Sequence, residues 1–402
     1  MSRLDELIQE KCPNGVNYKT VSDVATISRG RVMSKDYINE NQGEYPVYSS
    51  QTENNGEFGC ISTYDFDGEY LTWTTDGANA GSVFYRYGKF SVTNVCGLIK
   101  VSHDIMLTRF LYFVLSAEAK KYVSSGMGNP KLMSNVMAKV KIPVPPLEVQ
   151  SEIIRILDNF TELTAELTAE LTARKKQYEY YRNKLLSFNK LGGSQGNSLN
   201  NIVIMPLGEV GIFTRGSGLQ KKDFTQTGVG CIHYGQIYTH YGTYANRTKT
   251  FVSQEFAKKA RKAKHGDLII ATTSENDEDV CKAVAWLGDE DIAISSDACF
   301  YTHRLEPKYV AYYFQTEQFQ KQKRGFITGT KVRRVNTSDL AKIKIPVPPI
   351  EEQRRIVSIL DKFDMLATSI SEGLPKEIEL RRKQYEYYRN QLLSFPDNKA
   401  TA

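Results

Sequence analysis

Basic, amide and hydroxyl side chains are concentrated in several short loops of this 402-residue sequence. In the first half of the chain the candidates are Arg29, Arg31, Lys35, Ser49, Gln51, Asn54, Thr75, Asn79 and Lys131. In the second half they are Arg215, Lys221, Lys222, Tyr234, Gln236, Tyr238, Ser274, Asn276, Lys331, Arg333 and Arg334. Guanidinium and ammonium groups bind phosphates, while amides and hydroxyls form hydrogen bonds with base edges. We therefore predict that these residues contact nucleic acid, and the basic run at 331–334 (KVRR) is the strongest candidate.

The alternative is that these loops are ordinary solvated surface. Polar loops are common, and a net charge of +6 with a pI near 8.7 is too small to identify nucleic acid as the partner. No apolar run approaches the ~20 residues of a membrane span, so the composition indicates a soluble protein without membrane association. The first residues (MSRLDE) are too polar for a signal peptide, and we expect a cytoplasmic location.

We find no residue pattern that indicates catalysis. The segment 329–332 (GTKV) lacks the spacing of a phosphate-binding loop, and no H-E-x-x-H zinc motif occurs. The five histidines are not clustered, and the six cysteines include no C-x-x-C pair, so neither a metal site nor a disulfide framework is indicated. The proline pairs at 145–146 and 348–349 follow valine, whereas amino-methyltransferases place Asn or Asp before such a pair. We expect no catalytic residue and no catalysis by the chain alone.

Two repeated blocks divide the chain. Residues 141–148 (KIPVPPLE) return at 344–351 (KIPVPPIE), and residues 174–188 (RKKQYEYYRNKLLSF) return at 381–395 (RRKQYEYYRNQLLSF). The blocks delimit a first globular segment at 1–140, a helical arm at 141–188, a flexible Gly/Ser/Asn-rich linker at 189–202, a second globular segment at 203–342, and a second helical arm with a tail at 343–402. A repeated frame with different content suggests a protein that recognises two different targets.

Each globular segment is expected to be α+β. Short runs rich in Gly, Thr, Tyr and Val predict strands, and helical spacing at 107–123 and 309–323 predicts a helix near the end of each segment. In the arms, apolar residues recur every three or four positions and predict long helices that pair as a coiled coil. The residues expected to form this seam or to bind partners are Leu163, Leu167, Leu171, Tyr178, Tyr181, Leu185, Tyr385, Tyr388 and Leu392. The alternative is that each helix packs on its own domain, and Pro375 should interrupt the second arm unless a new helix starts there.

These patterns resemble the specificity subunit of type I restriction-modification systems. The resemblance rests on I-P-V-P-P-[LI]-E-x-Q at 142–150 and 345–353, each followed by I-x-x-[IV]-L-D, and it covers nearly the whole chain. Residues 163–173 (LTAELTAELTA) resemble the tetrapeptide repeat of the type IC-like subgroup, in which the repeat number changes the spacing of the DNA site.

The resemblance implies two target-recognition domains held by two long antiparallel helices with pseudo-two-fold symmetry. Each domain would bind one half of a bipartite, asymmetric site on double-stranded DNA. Two methyltransferase subunits carrying S-adenosylmethionine would methylate adenine N6, and two motor-nuclease subunits using ATP and Mg would complete the restriction enzyme, so this chain itself would hold no cofactor. The alternative from another class is a coiled-coil adaptor with two protein- or glycan-binding domains. An affinity for DNA that depends on salt concentration would exclude this alternative.

Overall fold

The computed structural model of the chain describes residues 2–102, 104–124, 128–188, 202–368 and 373–398. The first of its two units comprises Met1–Glu166 and Ile378–Ala402, and the second comprises Leu167–Glu377. The linker predicted at 189–202 lies outside the described residues, apart from Ile202. None of the described helices is long and apolar enough to cross a membrane.

In the described part of the chain up to residue 188, the helices are α1 (Arg3–Lys11), α2 (Val21–Val24), α3 (Lys35–Glu40), α4 (Thr108–Glu118), α5 (Ser134–Met137) and α6 (Leu147–Ser187). The strands are β1 (Asn17–Thr20), β2 (Ala25–Arg29), β3 (Gln42–Tyr48), β4 (Glu57–Ile61), β5 (Phe66–Thr74), β6 (Val83–Val92), β7 (Cys96–Val101) and β8 (Lys141–Val144). Short 3-10 turns lie at Glu53–Gly56 and Ala119–Tyr122.

In the described part after residue 201, the helices are α7 (Leu207–Val210), α8 (Tyr234–Thr239), α9 (Gln254–Lys259), α10 (Pro307–Phe314), α11 (Glu317–Arg324), α12 (Thr337–Leu340), α13 (Ile350–Thr368) and α14 (Leu374–Leu392). The strands are β9 (Val203–Pro206), β10 (Gly211–Arg215), β11 (Phe224–Thr225), β12 (Val229–Ile232), β13 (Tyr244–Ala245), β14 (Thr250–Val252), β15 (Lys262–Ala263), β16 (Leu268–Ala271), β17 (Thr273–Ser274), β18 (Ala283–Trp286), β19 (Ile292–Ile294), β20 (Ala298–His303), β21 (Arg333–Arg334) and β22 (Lys344–Val347).

The first unit is built on a six-stranded sheet in the order β2-β7-β5-β6-β3-β4. Its pairs are antiparallel except β3 with β6. Apolar residues of the sheet, such as Leu71, Trp73 and Ile99, are buried in one cluster with Phe110 and Val114 of α4. Burial of this apolar surface is the main source of stability for the unit.

The second unit contains two five-stranded sheets, in the orders β10-β20-β16-β18-β13 and β11-β14-β12-β19-β15. The first sheet packs on α10, where Tyr309, Tyr312 and Tyr313 are fully buried. Each buried tyrosine hydroxyl has an acceptor; for example, Tyr309 donates to the Pro346 carbonyl at 2.9 Å. Buried hydroxyls need such partners because desolvation without a hydrogen bond is costly.

Both copies of the proline motif have the same structure. The strand pairs antiparallel with an earlier strand, β8 with β1 and β22 with β9, and the proline pair then precedes α6 or α13. Proline is tolerated just before or in the first turn of a helix, where its missing N–H is not needed. The motif therefore directs the chain from the globular part of each unit into a long helix.

A glutamine in each proline motif connects the long helix to the globular part of its unit. Gln150 is fully buried; its Oε1 accepts from the Leu107 N–H at 2.8 Å, and its Nε2 donates to the carbonyls of Ile105 (2.9 Å) and Pro145 (2.7 Å). Gln353 accepts from the Glu306 N–H at 2.9 Å and donates to the Pro348 carbonyl at 2.8 Å. Leu107 and Glu306 are the N-cap residues of α4 and α10. Each glutamine thus ties the start of a domain helix to the arm.

Each unit contains the beginning of one arm and the end of the other. In the first unit the rings of Phe160 and Tyr388 stack with centroids 5.4 Å apart. In the second unit Phe363 and Tyr181 stack at 5.3 Å. Phe160 and Phe363 occupy equivalent positions of the repeat, as do Tyr181 and Tyr388. The predicted pairing of the two arms is therefore present in both units, and the α+β class with long helices and an internal repeat is confirmed.

Two sequence expectations need refinement, and the alternative left open at Pro375 is decided. The helix predicted at 309–323 is two helices, because Thr316 caps α11 by accepting from the Phe319 N–H at 3.2 Å. The helix predicted at 107–123 ends at Glu118 and continues as a 3-10 turn. A new helix does start at Leu374, with Pro375 in its first turn, after Gly373 at φ +83°.

Candidate nucleic-acid interface

The predicted loops of the first unit are joined by hydrogen bonds into one region, which we call loop surface 1. It consists of residues 29–31, 49–56, 74–82, 93–95 and 131–134. Arg29 donates from Nε to the Ser134 hydroxyl (3.2 Å) and from Nη1 to the Asn94 carbonyl (3.4 Å). The Asn79 amide donates to the Thr52 hydroxyl at 2.9 Å. Residues far apart in sequence thereby form one continuous polar surface.

The turn at 53–56 is held in an unusual conformation. Asn54, Asn55 and Gly56 all have positive φ (46°, 53° and 79°), which is uncommon for residues with a side chain. Arg86 lies beneath the turn, almost fully buried, and donates from Nη2 to the Asn55 carbonyl at 2.8 Å. Its guanidinium also packs 3.6 Å from the centre of the Tyr48 ring. The hydrogen bond from Arg86 thus supports the turn that carries the exposed Asn54.

The candidates of the first half differ in accessibility. Arg29, Arg31, Lys35, Asn54, Asn79 and Lys131 are exposed, although Arg31 forms an ion pair with Asp65 at 3.0 Å. Ser49 and Gln51 are half-buried, and each already bonds within the unit. Thr75 is only 2% exposed, and its hydroxyl donates to the Val95 carbonyl at 2.7 Å. The Thr75 hydroxyl therefore joins the 74–82 and 93–95 segments of loop surface 1.

The second unit repeats this arrangement in loop surface 2, which consists of residues 215–217, 271–282, 295–297 and 333–337. The Val335 N–H donates to the Thr272 carbonyl (3.1 Å), as the Leu132 N–H does to Thr75 (2.8 Å). The Cys281 N–H donates to the Ala271 carbonyl, as that of Gly81 does to Thr74, both at 2.9 Å. Parallel bridges join Ser217 to Ser295 and Arg31 to Thr93. The two surfaces share a backbone frame but carry different side chains.

Several candidates of the second half have structural partners. Tyr238 donates its hydroxyl to the Thr273 carbonyl at 2.6 Å, and Gln236 accepts from the His233 N–H at 3.0 Å as part of the cap of α8. Ser274 is 9% exposed, and the Asn276 amide donates to Asp279 at 2.8 Å. Tyr234 is half-buried with its N–H bonded to the Ser295 hydroxyl.

The basic candidates of the second half remain exposed. They are Arg215, Lys221, Lys222, Lys331 and Arg334, while Arg333 is half-buried. Arg215 and Arg334 line one cavity of about 140 Å³ together with Thr272, Thr273 and Asp297. Such a cavity joins two guanidinium groups to hydroxyl groups, a combination that suits a phosphate or a base edge.

The arm residues range from buried to exposed, and Tyr388 is 38% exposed although its equivalent Tyr181 is half-buried. Tyr178 is buried, and Tyr181, Leu185 and Leu392 are half-buried, as are Leu167, Leu171 and Tyr385. Leu163 is 46% exposed, and its equivalent Leu366 is 45% exposed. Tyr180 and its equivalent Tyr387 are 58% and 59% exposed, and each forms an edge-to-face contact with the next tyrosine. Tyr180 and Tyr387 lie outside the apolar seam, so the periodicity of the sequence does not indicate them as site residues.

The chain contains two units with similar backbone surfaces, and their arms are paired. This arrangement defines a protein with two binding modules. A family model, the type I restriction modification DNA specificity domain, matches residues 13–174 and again residues 200–380. The chain therefore belongs to this family and is a type I restriction-modification specificity subunit with two target-recognition domains. Specificity subunits are non-catalytic components of their complexes.

Similar proteins agree with this assignment. A type I specificity subunit of Mycoplasma pneumoniae is 33% identical over 379 residues, which cover 94% of this chain and 97% of that protein. The MpnII specificity subunit of the same organism is 47% identical over 184 residues, which cover 45% of this chain and 55% of that one.

Two solved structures share the fold. The S subunit from M. genitalium matches with a TM-score of 0.53 and 14% identity over 95% of this chain and 97% of that one. A chain from a study of assembly and conformational transition of the type I system matches with 0.58 and 15% identity, over 94% and 97%. The comparisons do not favour the adaptor alternative.

Proposed function

We propose that this specificity subunit binds double-stranded DNA at a bipartite, asymmetric site, with loop surface 1 at one half-site and loop surface 2 at the other. The observation that carries the proposal is the shared hydrogen-bond frame of the two surfaces, which presents different side chains in each unit. A common frame gives the same approach to the duplex, whereas different side chains read different base edges.

Within each surface, the exposed basic residues would bind phosphates and the exposed amides would face the bases. Arg29 and Lys131 serve the first surface, and Arg215 and Arg334 serve the second. Lys35 and Lys331 are exposed as well and would add phosphate contacts from outside the two loop surfaces. Asn54 and Asn79 are the exposed amides of the first surface, and Asn276 is exposed in the second with both of its amide atoms bonded to Asp279. The buried candidates Thr75 and Ser274 support the backbone below them.

The arms would hold two copies of one methyltransferase subunit. Tyr180 and Tyr387 are equally exposed at equivalent positions, and Leu163 and Leu366 match in the same way. A repeated exposed face fits two identical partners related by pseudo-two-fold symmetry. These subunits would carry S-adenosylmethionine for adenine N6 methylation, and two motor-nuclease subunits would use ATP and Mg. The complex would act on DNA in the cytoplasm.

Methylation mapping of the complex with its methyltransferase tests the DNA proposal. We expect a split sequence whose two halves are each unchanged when the other unit is altered. A single continuous site, or binding that does not depend on salt, would contradict it.

Co-purification tests the partner surface. Tyr180→Ala and Tyr387→Ala should each remove one methyltransferase copy, and the double variant should remove both. Tyr87→Ala is the control, because Tyr87 is 81% exposed in the β5–β6 hairpin. Full stoichiometry in the double variant would exclude these tyrosines from the contact.

A further inference from the structure

The loop between β17 and β18 in loop surface 2 is strongly acidic. Residues 275–279 (ENDED) carry four carboxylates, and all five residues are exposed. In the first unit the corresponding segment, 76–80 (DGANA), carries one carboxylate and is three residues shorter than 273–280. The acidic loop therefore belongs to one of the two surfaces only.

One carboxylate of this loop is bound to a residue of the predicted basic run. Asp277 Oδ1 lies 2.8 Å from Nε of Arg333, and Nη1 of Arg333 donates to the Gly329 carbonyl at 2.6 Å. The side chains of Asp277 and Arg333 remain 52% and 34% exposed. DNA can therefore reach the guanidinium, but a negative charge already occupies one of its donor edges.

Hydrogen bonds from a buried lysine and from Asn276 hold this acidic loop. Lys323 is fully buried, and its ammonium group donates to the carbonyls of Glu278 (2.9 Å) and Val280 (2.8 Å). The side chain of Asn276 bridges the loop, accepting from the Asp279 N–H at 2.7 Å. These bonds hold the backbone at residues 278–280 and the side chain of Asn276, so in the free protein the loop presents the Asp277 carboxylate to Arg333.

We propose that Asp277 is a specificity-determining residue that acts as an internal phosphate mimic for Arg333 and weakens binding of loop surface 2 to DNA of arbitrary sequence. The inference rests on the proposed function of this surface. Binding to non-specific DNA depends on a small number of phosphate contacts, so neutralising one cation removes a large share of it. A specific complex has base contacts as well and can compensate for displacing Asp277.

The variant Asp277→Asn tests the proposal in the full subunit with its methyltransferase. It should bind a non-specific duplex about two- to fivefold more tightly at low salt, the range expected for releasing an exposed ion pair. The slope of log affinity against log salt should become steeper by about one, because Arg333 becomes free to neutralise a phosphate. Affinity for the specific duplex should change less.

Glu275→Gln is the matched control, since it removes the same charge from the same loop at a position without the ion pair to Arg333. Equal effects of the two variants would show a general charge effect and overturn the proposal, as would weaker binding by Asp277→Asn. In an Arg333→Met background the two variants should become equal. If the unmodified subunit fails to bind DNA at all, the proposed function fails, a result distinct from equal effects of the two variants.

Discussion

Replacing Gln150 with leucine should destabilise the first unit strongly, although the two side chains have similar volume. The change removes the acceptor for the half-buried Leu107 N–H and the donor for two carbonyls, those of Ile105 and Pro145. A buried polar group left without its partner costs about 1–3 kcal/mol. Because a carbonyl keeps a second lone pair, we expect a total of ~3–5 kcal/mol. Gln353→Leu removes two bonds instead of three and should cost ~2–4 kcal/mol in the second unit.

The two tryptophans allow each unit to be followed separately in urea. Trp73 lies in the first unit and Trp286 in the second, and both are buried. In a Trp286→Phe background, fluorescence reports on the first unit, where Gln150→Leu should shift the transition and Gln353→Leu should not. Gln9→Leu, the same substitution at an exposed position of α1, should stay within about 0.5 kcal/mol. A loss below ~1 kcal/mol for Gln150→Leu would refute the role assigned to this hydrogen-bond network.

Three further predictions concern spacing, pH and salt. Deleting residues 167–170 removes about 6 Å of α6 and rotates the rest by ~40°, so methylation mapping should show unchanged half-sites and a spacer shorter by one to two base pairs; an unchanged spacer would mean that this segment does not set the distance. Burial lowers the pKa of His303 from 6.5 to about 4, so the unfolded chain takes up the proton first as pH falls. The second unit should lose ~2 kcal/mol between pH 7 and pH 5, a loss that His303→Asn should remove in thermal unfolding. Arg334→Ala should reduce the salt slope of DNA binding by about one with unchanged base preference, and an unchanged slope would return Arg334 to the solvated surface.

The sequence predicts the arms well because their pattern is local and repeated. Part of each arm pairs with the other arm and part packs on the globular part of its unit, so both alternatives are partly correct. Ile153 and Leu157 are buried in the core of the first unit, whereas Phe160, one turn later, stacks on the other arm. Where two leucines are adjacent, the predicted seam contains the less buried one. Leu186 is fully buried, whereas the predicted Leu185 is half-buried. Periodicity alone does not show which of two adjacent leucines faces a core that the rest of the chain supplies.

The internal roles of loop residues are not visible in the sequence. Thr75 and Asn79 both lie in a polar, Gly-containing loop, yet one is buried and the other exposed. Arg86 lies in an aromatic-rich run of β6 (84–90, FYRYGKF), and its burial depends on Tyr48 and on the turn above it. The ion pair of Arg333 with Asp277 joins residues 56 positions apart (333 − 277). Each role depends on a partner distant in sequence, so no local pattern could have shown it.

Repetition has a different meaning at positions that pair the two arms and at positions that face outwards. The stack of a phenylalanine on a tyrosine repeats because one arm packs on the other in both units. Packing within the chain does not require an exposed tyrosine, yet Tyr180 and Tyr387 match in identity and in exposure. In the proposed function, this repetition reflects a common external partner. The loop surfaces show the reverse, since their backbone hydrogen bonds repeat and their side chains differ. In the proposed function, one chain would combine two equal docking faces with two unequal reading faces, and this combination would direct one kind of methyltransferase to an asymmetric sequence.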